Sequence, residues 1–539
     1  MGTEPDIPVS RDRRKLLIAL GLGAVNVAAL RRIGGASSAT ESPITTPATS
    51  GVADTPPAAP SLDQPAANSL GLPPPLQSLE GELPAELGPG HVFDVVIIGG
   101  RVLDPDSGFD GLANVGIDGS TITAISREAL QGATTIDATG RVVSPGFIDL
   151  LSYEPNSFGV WLKLADGVTS NLAMHGVNNY AAAFFSRYEN STPIHFGGAF
   201  HHHFMRGFDL AAGVESALNS RQIDELRALA EENLAAGFAG LSFSPEYSPG
   251  TTTEEMRVLA ELAAELGHVN FFHVRHSDPN PPGTSLEAIS EVLDIARTTQ
   301  AAVHIEHLSS TGGTFVMARA LELINGARAD GLDVTACLYP YDFWGTFLAS
   351  SRFAAGWQQR YQLNESDLQV AGSSARLTAD TFGQASQENK LVAALGSIPD
   401  DEVQMAFREP WTLVASDAIP TIEMNNHPRG AGTFARTIGR YVRDLGVMDL
   451  MTGLAKMTIL PARRVEGMIP AMAHKGRLQR GADADIVVFN PETIGDRATV
   501  ERPAAASVGI DWVLVDGQLA LRSGRPDRST FAGRPLYSA

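Results

Sequence analysis

The chain has 539 residues, of which 43% are hydrophobic and 19% charged. That is enough for a large core and a second domain. A net charge of −21 argues against nucleic acid as a partner, because phosphate binding needs a basic face. The single cysteine, Cys337, excludes an intrachain disulfide, so stability rests on packing alone.

Near the N-terminus Arg13-Arg14 precede Lys15 and an apolar run from Leu16 to Leu30. The run is too short and too rich in Gly and Ala for a membrane span. Paired arginines before such a run resemble a twin-arginine export signal. Ser37-Ser38-Ala39 offers small residues for cleavage. Residues 1–39 are therefore read as a signal, and the protein as periplasmic or extracellular with no stable membrane span after signal removal. Residues 40–91 are rich in Pro, Ala, Ser and Thr and read as a disordered linker.

Order is expected from Val92. Short strands with turn signals such as Asp118-Gly119 fill 92–142 and predict a small β layer. The run Val95–Gly100 has the look of a dinucleotide-binding strand. It lacks the third glycine of G-x-G-x-x-G, and Arg101-Val102-Leu103-Asp104 continues as strand. From 143 the pattern alternates strand and helix. The strand candidates are Val143–Leu150, Thr169–Met174, Ile194–Phe200, Gly240–Ser244, Asn270–Val274, Ala302–Leu308, Asp333–Leu338 and Trp411–Ser416. Capping boxes at Thr252–Glu255 and Thr284–Glu287 start two of the intervening helices. Such a pattern predicts an α/β fold, a (β/α)8 TIM-like barrel over 143–474. The stretch 343–408 is too long for a plain loop and reads as an inserted lid subdomain. Strands return in 475–539. Their simplest home is the N-terminal β layer, giving one small β-sandwich built from both ends of the ordered chain.

A barrel converges its strand C-termini on one pocket. His175, His273 and His307 fall at three of these ends, and Asp417 at a fourth. Three imidazoles can hold one zinc ion and leave a fourth position for water. Asp417 could take the water's proton and pass it to a leaving nitrogen. His201 and His203 read as ordinary polar residues, Asp149 as a hydrogen-bonding residue of the barrel mouth, and Cys337 as a small buried hydrophobe.

From about 93 to 538 the chain resembles the N-acyl-D-amino-acid deacylases, or D-aminoacylases, of the metal-dependent amidohydrolase superfamily. The matching pieces run in order and include P-G-F-I-D-L, D-G-V-T-S, F-F-H-V-R, I-E-H-L, A-S-D-A, H-P-R-G-A-G-T-F-A-R and G-A-D-A-D-I-V-V-F-N-P. The resemblance implies a zinc-bearing barrel that hydrolyses a small N-acylated amino acid. His273 and His307 match histidines of the family's tight zinc site, and His175 stands where its cysteine ligand usually does. Asp417 matches the catalytic aspartate. Arg429 matches an arginine that pairs with the substrate carboxylate, work suited to a two-pronged guanidinium. Tyr341 or Tyr339, together with Arg275 and His202, are read as further substrate-binding residues, and Arg206 belongs to the same segment as His202.

The departures lie at the site. The family's P-G-F-I-D-x-H-x-H carries two histidines for a second, looser metal, and here those positions are Leu151 and Tyr153. One zinc ion per chain is therefore expected. Ser309 stands where some members carry a lysine, and Ser244-Pro245-Glu246 replaces a more usual run near the pocket. Two readings follow: a mononuclear hydrolase of a linear amide bond, or a catalytically inactive protein that kept the fold for a binding role. A cyclic-amide hydrolase of the dihydroorotase or hydantoinase kind is a variant of the first, from which the H-P-R and G-L-S segments point away.

Overall fold

The structure is a computed structural model and describes residues 87–88, 90–422 and 426–539. The expected export segment, and the linker as far as residue 86, lie outside these residues. Among the described residues no helix is long and apolar enough to cross a membrane.

Eight parallel strands form one nearly closed barrel, neighbours in space in the order of the chain. They are Phe147–Asp149, Val168–Val177, His195–His201, Leu241–Phe243, Val269–Phe272, Ala302–Ile305, Val334–Leu338 and Thr412–Val414. Each falls in or beside an expected strand. Helices cover the outside, their apolar faces packed on the sheet. In the helix Ser285–Thr299 the buried Ala288, Ile289, Val292, Leu293 and Ala296 recur at helical spacing. The capping box at Thr284 forms in full. The one at Thr252 forms only on the threonine's side, because the Glu255 carboxylate turns inward.

The expected first strand is in fact two. Val142–Pro145 pairs with Val92–Asp104 and with Ile486–Phe489 in a separate sheet, while Phe147–Asp149 pairs with the second barrel strand. Gly146 joins them where a Cβ would lie 2.2 Å from Thr169 Oγ1, so only glycine lets the chain pass. The separate sheet has nine strands, drawn from both ends of the described chain. It wraps a core that includes Ile97, Val115, Ile117, Ile136, Ile486, Val488 and Leu514. This is the composite β-sandwich. The strand Val92–Asp104 runs through Gly99-Gly100 without starting a helix, so the dinucleotide-like run is a sandwich strand.

Closure between the first and eighth barrel strands depends on one buried carboxylate. Asp149 accepts from Ser416 N at 2.9 Å and from Ser416 Oγ at 2.6 Å. Lys163, on the helix Gly159–Ala165, donates to Asp149 and to Ser416 Oγ, both at 2.5 Å. Lys163 and Asp149 are 1% and 0% exposed. Just beyond, Asp417 N donates to Leu151 O at 2.8 Å.

The insertion has its own sheet, in which Leu391–Ala394 pairs with Trp344–Phe347 and Leu368–Val370. It ends earlier than expected. The helix Asp400–Arg408 buries Val403, Ala406 and Phe407 in the barrel's outer layer. Its Glu402 accepts from the backbone N–H groups of Phe315 and Met317, at the start of the barrel helix Met317–Ala329. That helix belongs to the barrel, so the inserted unit closes near Ala394 and not at 408.

Removing Lys163 leaves the buried Asp149 charge without its partner. Lys163→Met is expected to cost about 3–5 kcal/mol of unfolding free energy, read by denaturant titration. A loss below about 1 kcal/mol, the value of an exposed pair, contradicts this account of the closure.

Candidate active site

The C-terminal ends of the strands open on a cavity of about 480 Å³. His175, His273, His307, Asp417 and Arg429 all line it, so five of the eight expected site residues come together. Strand geometry explains part of this. His175 lies near the end of Val168–Val177, and His273 directly follows Val269–Phe272. His307 (φ 28°) and Asp417 (φ 51°) adopt left-handed backbone just past their strands. Such strain costs about 1–3 kcal/mol and gathers at functional sites.

The kink at His307 has a further effect. Neighbouring residues of a regular strand point to opposite faces. With the alternation broken, Glu306 and His307 both face the cluster. His175, His273, Glu306 and His307 each offer a donor atom, all within 4.8 Å of one another, and all four residues are buried. The sequence shows no sign of this role for Glu306, because regular strand alternation would turn it away from His307. Its carboxylate is the one anionic donor type in a cluster otherwise made of imidazoles.

The donor set fits a zinc ion. His273 Nε2 is 2.5 Å from Glu246 Oε2, so the ring carries its proton on Nε2, donates it in a hydrogen bond to that carboxylate, and keeps its lone pair on Nδ1. Nδ1 faces His307 Nε2 at 3.1 Å. Ligands about 2.0–2.1 Å from zinc in a tetrahedron stand about 3.3 Å apart. Glu306 Oε2 lies 2.5 Å from His175 Nδ1 and 3.9 Å from His307 Nε2. Among the described residues the buried Nδ1 of His307 has no hydrogen-bond partner. The His307 N–H donates to Cys337 Sγ at 3.2 Å, which places the buried thiol beneath the site.

Asp417 is held on every side. Arg429 Nη2 pairs with its Oδ2 at 2.8 Å, and Arg429 Nε donates to its backbone oxygen at 3.1 Å. The Tyr153 hydroxyl donates to Oδ1 at 3.2 Å. Burial raises the pKa of this carboxyl, but Arg429 and then the histidines outweigh burial and hold it at about 2. Tyr153 thus uses its cavity-facing position to clasp the aspartate. Leu151, its companion in the replaced motif, is buried in the barrel interior beside Leu172 and Met174.

Three expected substrate contacts lie elsewhere. Arg275 turns away from the cavity and pairs with Glu291 through two 2.9 Å bonds. His202 is fully buried against Glu255 at 2.7 Å, a carboxylate it shares with Arg206 at 3.0 Å. This is where the carboxylate of the incomplete capping box goes. Tyr341 sits behind His427 (ring centroids 5.4 Å apart) with Arg436 over its ring. Its neighbour Tyr339 lines the cavity instead, under the Arg429 guanidinium at 4.6 Å. Strand alternation does not decide between the two tyrosines, since both lie past the end of Val334–Leu338.

Fold and site define a metal-dependent hydrolase of the amidohydrolase type, and comparison with known proteins narrows this. A sequence profile described as Amidohydrolase family matches residues 375–520. The N-acyl-D-glutamate deacylase of Alcaligenes xylosoxydans xylosoxydans is 32% identical over 83% of this chain and 99% of its own. The Bordetella bronchiseptica N-acyl-D-glutamate deacylase, solved with zinc and a phosphonate mimic of the tetrahedral intermediate, superposes with a TM-score of 0.70. It is 28% identical and covers 83% of this chain and 100% of its own. A D-aminoacylase structure addressing one-metal activation and second-metal attenuation of a binuclear centre gives a TM-score of 0.72 at 25% identity, over 83% and 100% of the two chains. The chain belongs to the N-acyl-D-amino-acid deacylase, or D-aminoacylase, family of the metal-dependent amidohydrolase superfamily. It is an amidohydrolase acting on carbon–nitrogen bonds other than peptide bonds. Nothing in these relatives supports the inactive binding-protein reading.

Loss of a ligand should be read directly as loss of metal. His273→Ala is expected to abolish zinc retention, and Glu306→Gln to weaken zinc at least tenfold, both measured by competition with a chelator. Wild-type affinity in His273→Ala contradicts the site.

Proposed function

We propose that the protein hydrolyses N-acyl-D-amino acids to a carboxylate and a free D-amino acid at a one-zinc centre. The observation that carries this reading is the Asp417–Arg429 pair set beside the four-donor cluster in one buried cavity. His175, His273, His307 and Glu306 would hold the ion, which supplies a water acidified towards neutrality and a Lewis acid for the amide carbonyl.

The chain's own residues account for the rest. Arg429 binds the substrate carboxylate with two N–H groups, and to do so exchanges it for Asp417 Oδ2. The exchange frees that oxygen to take a proton from the attacking water, while Tyr153 keeps Oδ1 in place. Asp417 then gives the proton to the leaving nitrogen as the C–N bond breaks and the new C–O bond stays with the acyl carbon. Trp344, Phe347 and Leu391 of the insertion line the cavity and restrict water. Support for a single ion comes from Leu151, committed to the interior, and from Tyr153, committed to Asp417.

Asp417→Asn is expected to lower kcat about 10²–10⁴-fold on N-acetyl-D-amino acids with zinc content unchanged. Activity within a few-fold of wild type contradicts the role of Asp417. Arg429→Gln removes the strongest influence lowering the Asp417 pKa. That pKa then rises, so the acidic limb of kcat/KM should move to higher pH as KM increases; an unmoved limb contradicts the pairing. The Arg13-Arg14 segment supports placement outside the cytoplasm, which cell fractionation of the full chain tests. A purely cytoplasmic product contradicts it.

A further inference from the structure

Glu246 and Arg352 belong to neither the ligand set nor the proton path, yet Glu246 is buried against the candidate ligand His273 and Arg352 is buried against Glu246. Glu246 follows the short strand Leu241–Phe243 on a turn closed by Tyr247 N to Ser244 O at 3.0 Å. Its Oε2 holds His273 Nε2 at 2.5 Å and accepts from Arg352 Nε at 3.1 Å. Arg352 comes from the insertion, on the short turn Ser351–Phe353 between two of its strands. It is 3% exposed. Its Nη2 donates to Ser277 Oγ at 2.8 Å and to Ser310 O at 2.9 Å, both in loops that follow site histidines. Its guanidinium lies 4.9 Å from the Trp344 ring and 5.7 Å from that of Tyr361. Two more groups of the insertion reach the same turn: Ser351 Oγ donates to Glu246 O at 2.7 Å, and the Tyr361 hydroxyl donates to Glu246 Oε1 at 3.3 Å.

A carboxylate on the far nitrogen of a ligating histidine fixes its tautomer and orientation. Here that carboxylate is itself fixed by a different structural unit. We propose that Glu246 and Arg352 are positioning residues of the metal site, and that metal binding and seating of the insertion on the barrel strengthen each other. Three insertion side chains, Ser351, Arg352 and Tyr361, converge on Glu246, and Glu246 converts their seating into the geometry of His273. Coupling of this kind is reciprocal: whatever the seated insertion adds to metal affinity, the metal adds to seating. The inference rests on the metal-site reading and is independent of which N-acyl substrate is cleaved.

The test uses the full chain, with zinc itself as the ligand. Arg352→Met keeps a chain on the Trp344 and Tyr361 rings but removes the fork. Arg352→Met and Glu246→Gln are each expected to raise the zinc Kd about 10–100-fold, although neither removes a ligand. In wild type, zinc should slow tryptic cleavage after the exposed Arg376 and Lys390 of the insertion by roughly 5–150-fold. In Arg352→Met, cleavage should be fast with or without zinc. If Arg352→Met does not fold, Arg352→Lys decides: it keeps the charge, loses the forked contacts, and should show a raised Kd. A folded Arg352 variant with a Kd within about twofold of wild type overturns the inference, as does cleavage of wild type that ignores zinc. A wild type that binds zinc but cleaves no N-acyl-amino acid leaves the inference standing and overturns only the substrate reading. A wild type that takes up no zinc overturns both.

Discussion

The site depends first on how the barrel closes. Asp149 and Lys163 form a fully buried charge pair at the seam between the first and last strands, completed by both hydrogen-bonding groups of Ser416. A buried ion pair adds little net stability beyond what an apolar pair would give, but it fixes geometry because its groups tolerate no other arrangement. Here the geometry fixed is that of the next residue. Asp417 leaves the seam with left-handed backbone and its N–H on Leu151 O, which turns its carboxylate over the cavity towards His307, 3.7 Å away. The place of this carboxylate beside the four-donor cluster is thus set by packing one residue away.

The two replaced histidines acquire a physical meaning in this frame. Leu151 extends the apolar filling of the barrel. Tyr153 keeps a polar tip in the cavity and uses it on Asp417, so the aspartate is oriented by a phenol and a guanidinium. Burial holds the Tyr153 hydroxyl far above the usual phenol range, which keeps it a donor. Glu306 adds a carboxylate to the three imidazoles of the donor cluster.

Much of this was legible in the sequence, and the misses have identifiable causes. Strand periodicity and turn residues located all eight barrel strands and the split sandwich, because parallel buried strands read as continuous apolar runs. Periodicity could not place the boundary at Gly146, where two apolar segments of different sheets abut. His175, His273, His307 and Asp417 are legible because strand ends converge, and Arg429, which opens the helix Arg429–Arg436, only through the resemblance of its H-P-R segment. Glu306 was hidden by the broken alternation at His307. Arg275 is expected at the site because it follows His273 in F-F-H-V-R, and His202 because its segment resembles one of the family's. Long-range pairing decided otherwise, drawing one to Glu291 and the other to Glu255. Glu246 and Arg352 are 106 residues apart, and no local pattern joins them.

The most direct measurement is a zinc titration of metal-stripped full chain, followed by the rate of N-acetyl-D-amino-acid hydrolysis at each point. The account predicts activity that rises to a plateau at about one equivalent of zinc per chain, the stoichiometry of a single four-coordinate site. Activity that needs a second equivalent contradicts the one-metal centre. No activity at any zinc concentration, across the panel of D-amino acids, contradicts the proposed reaction itself.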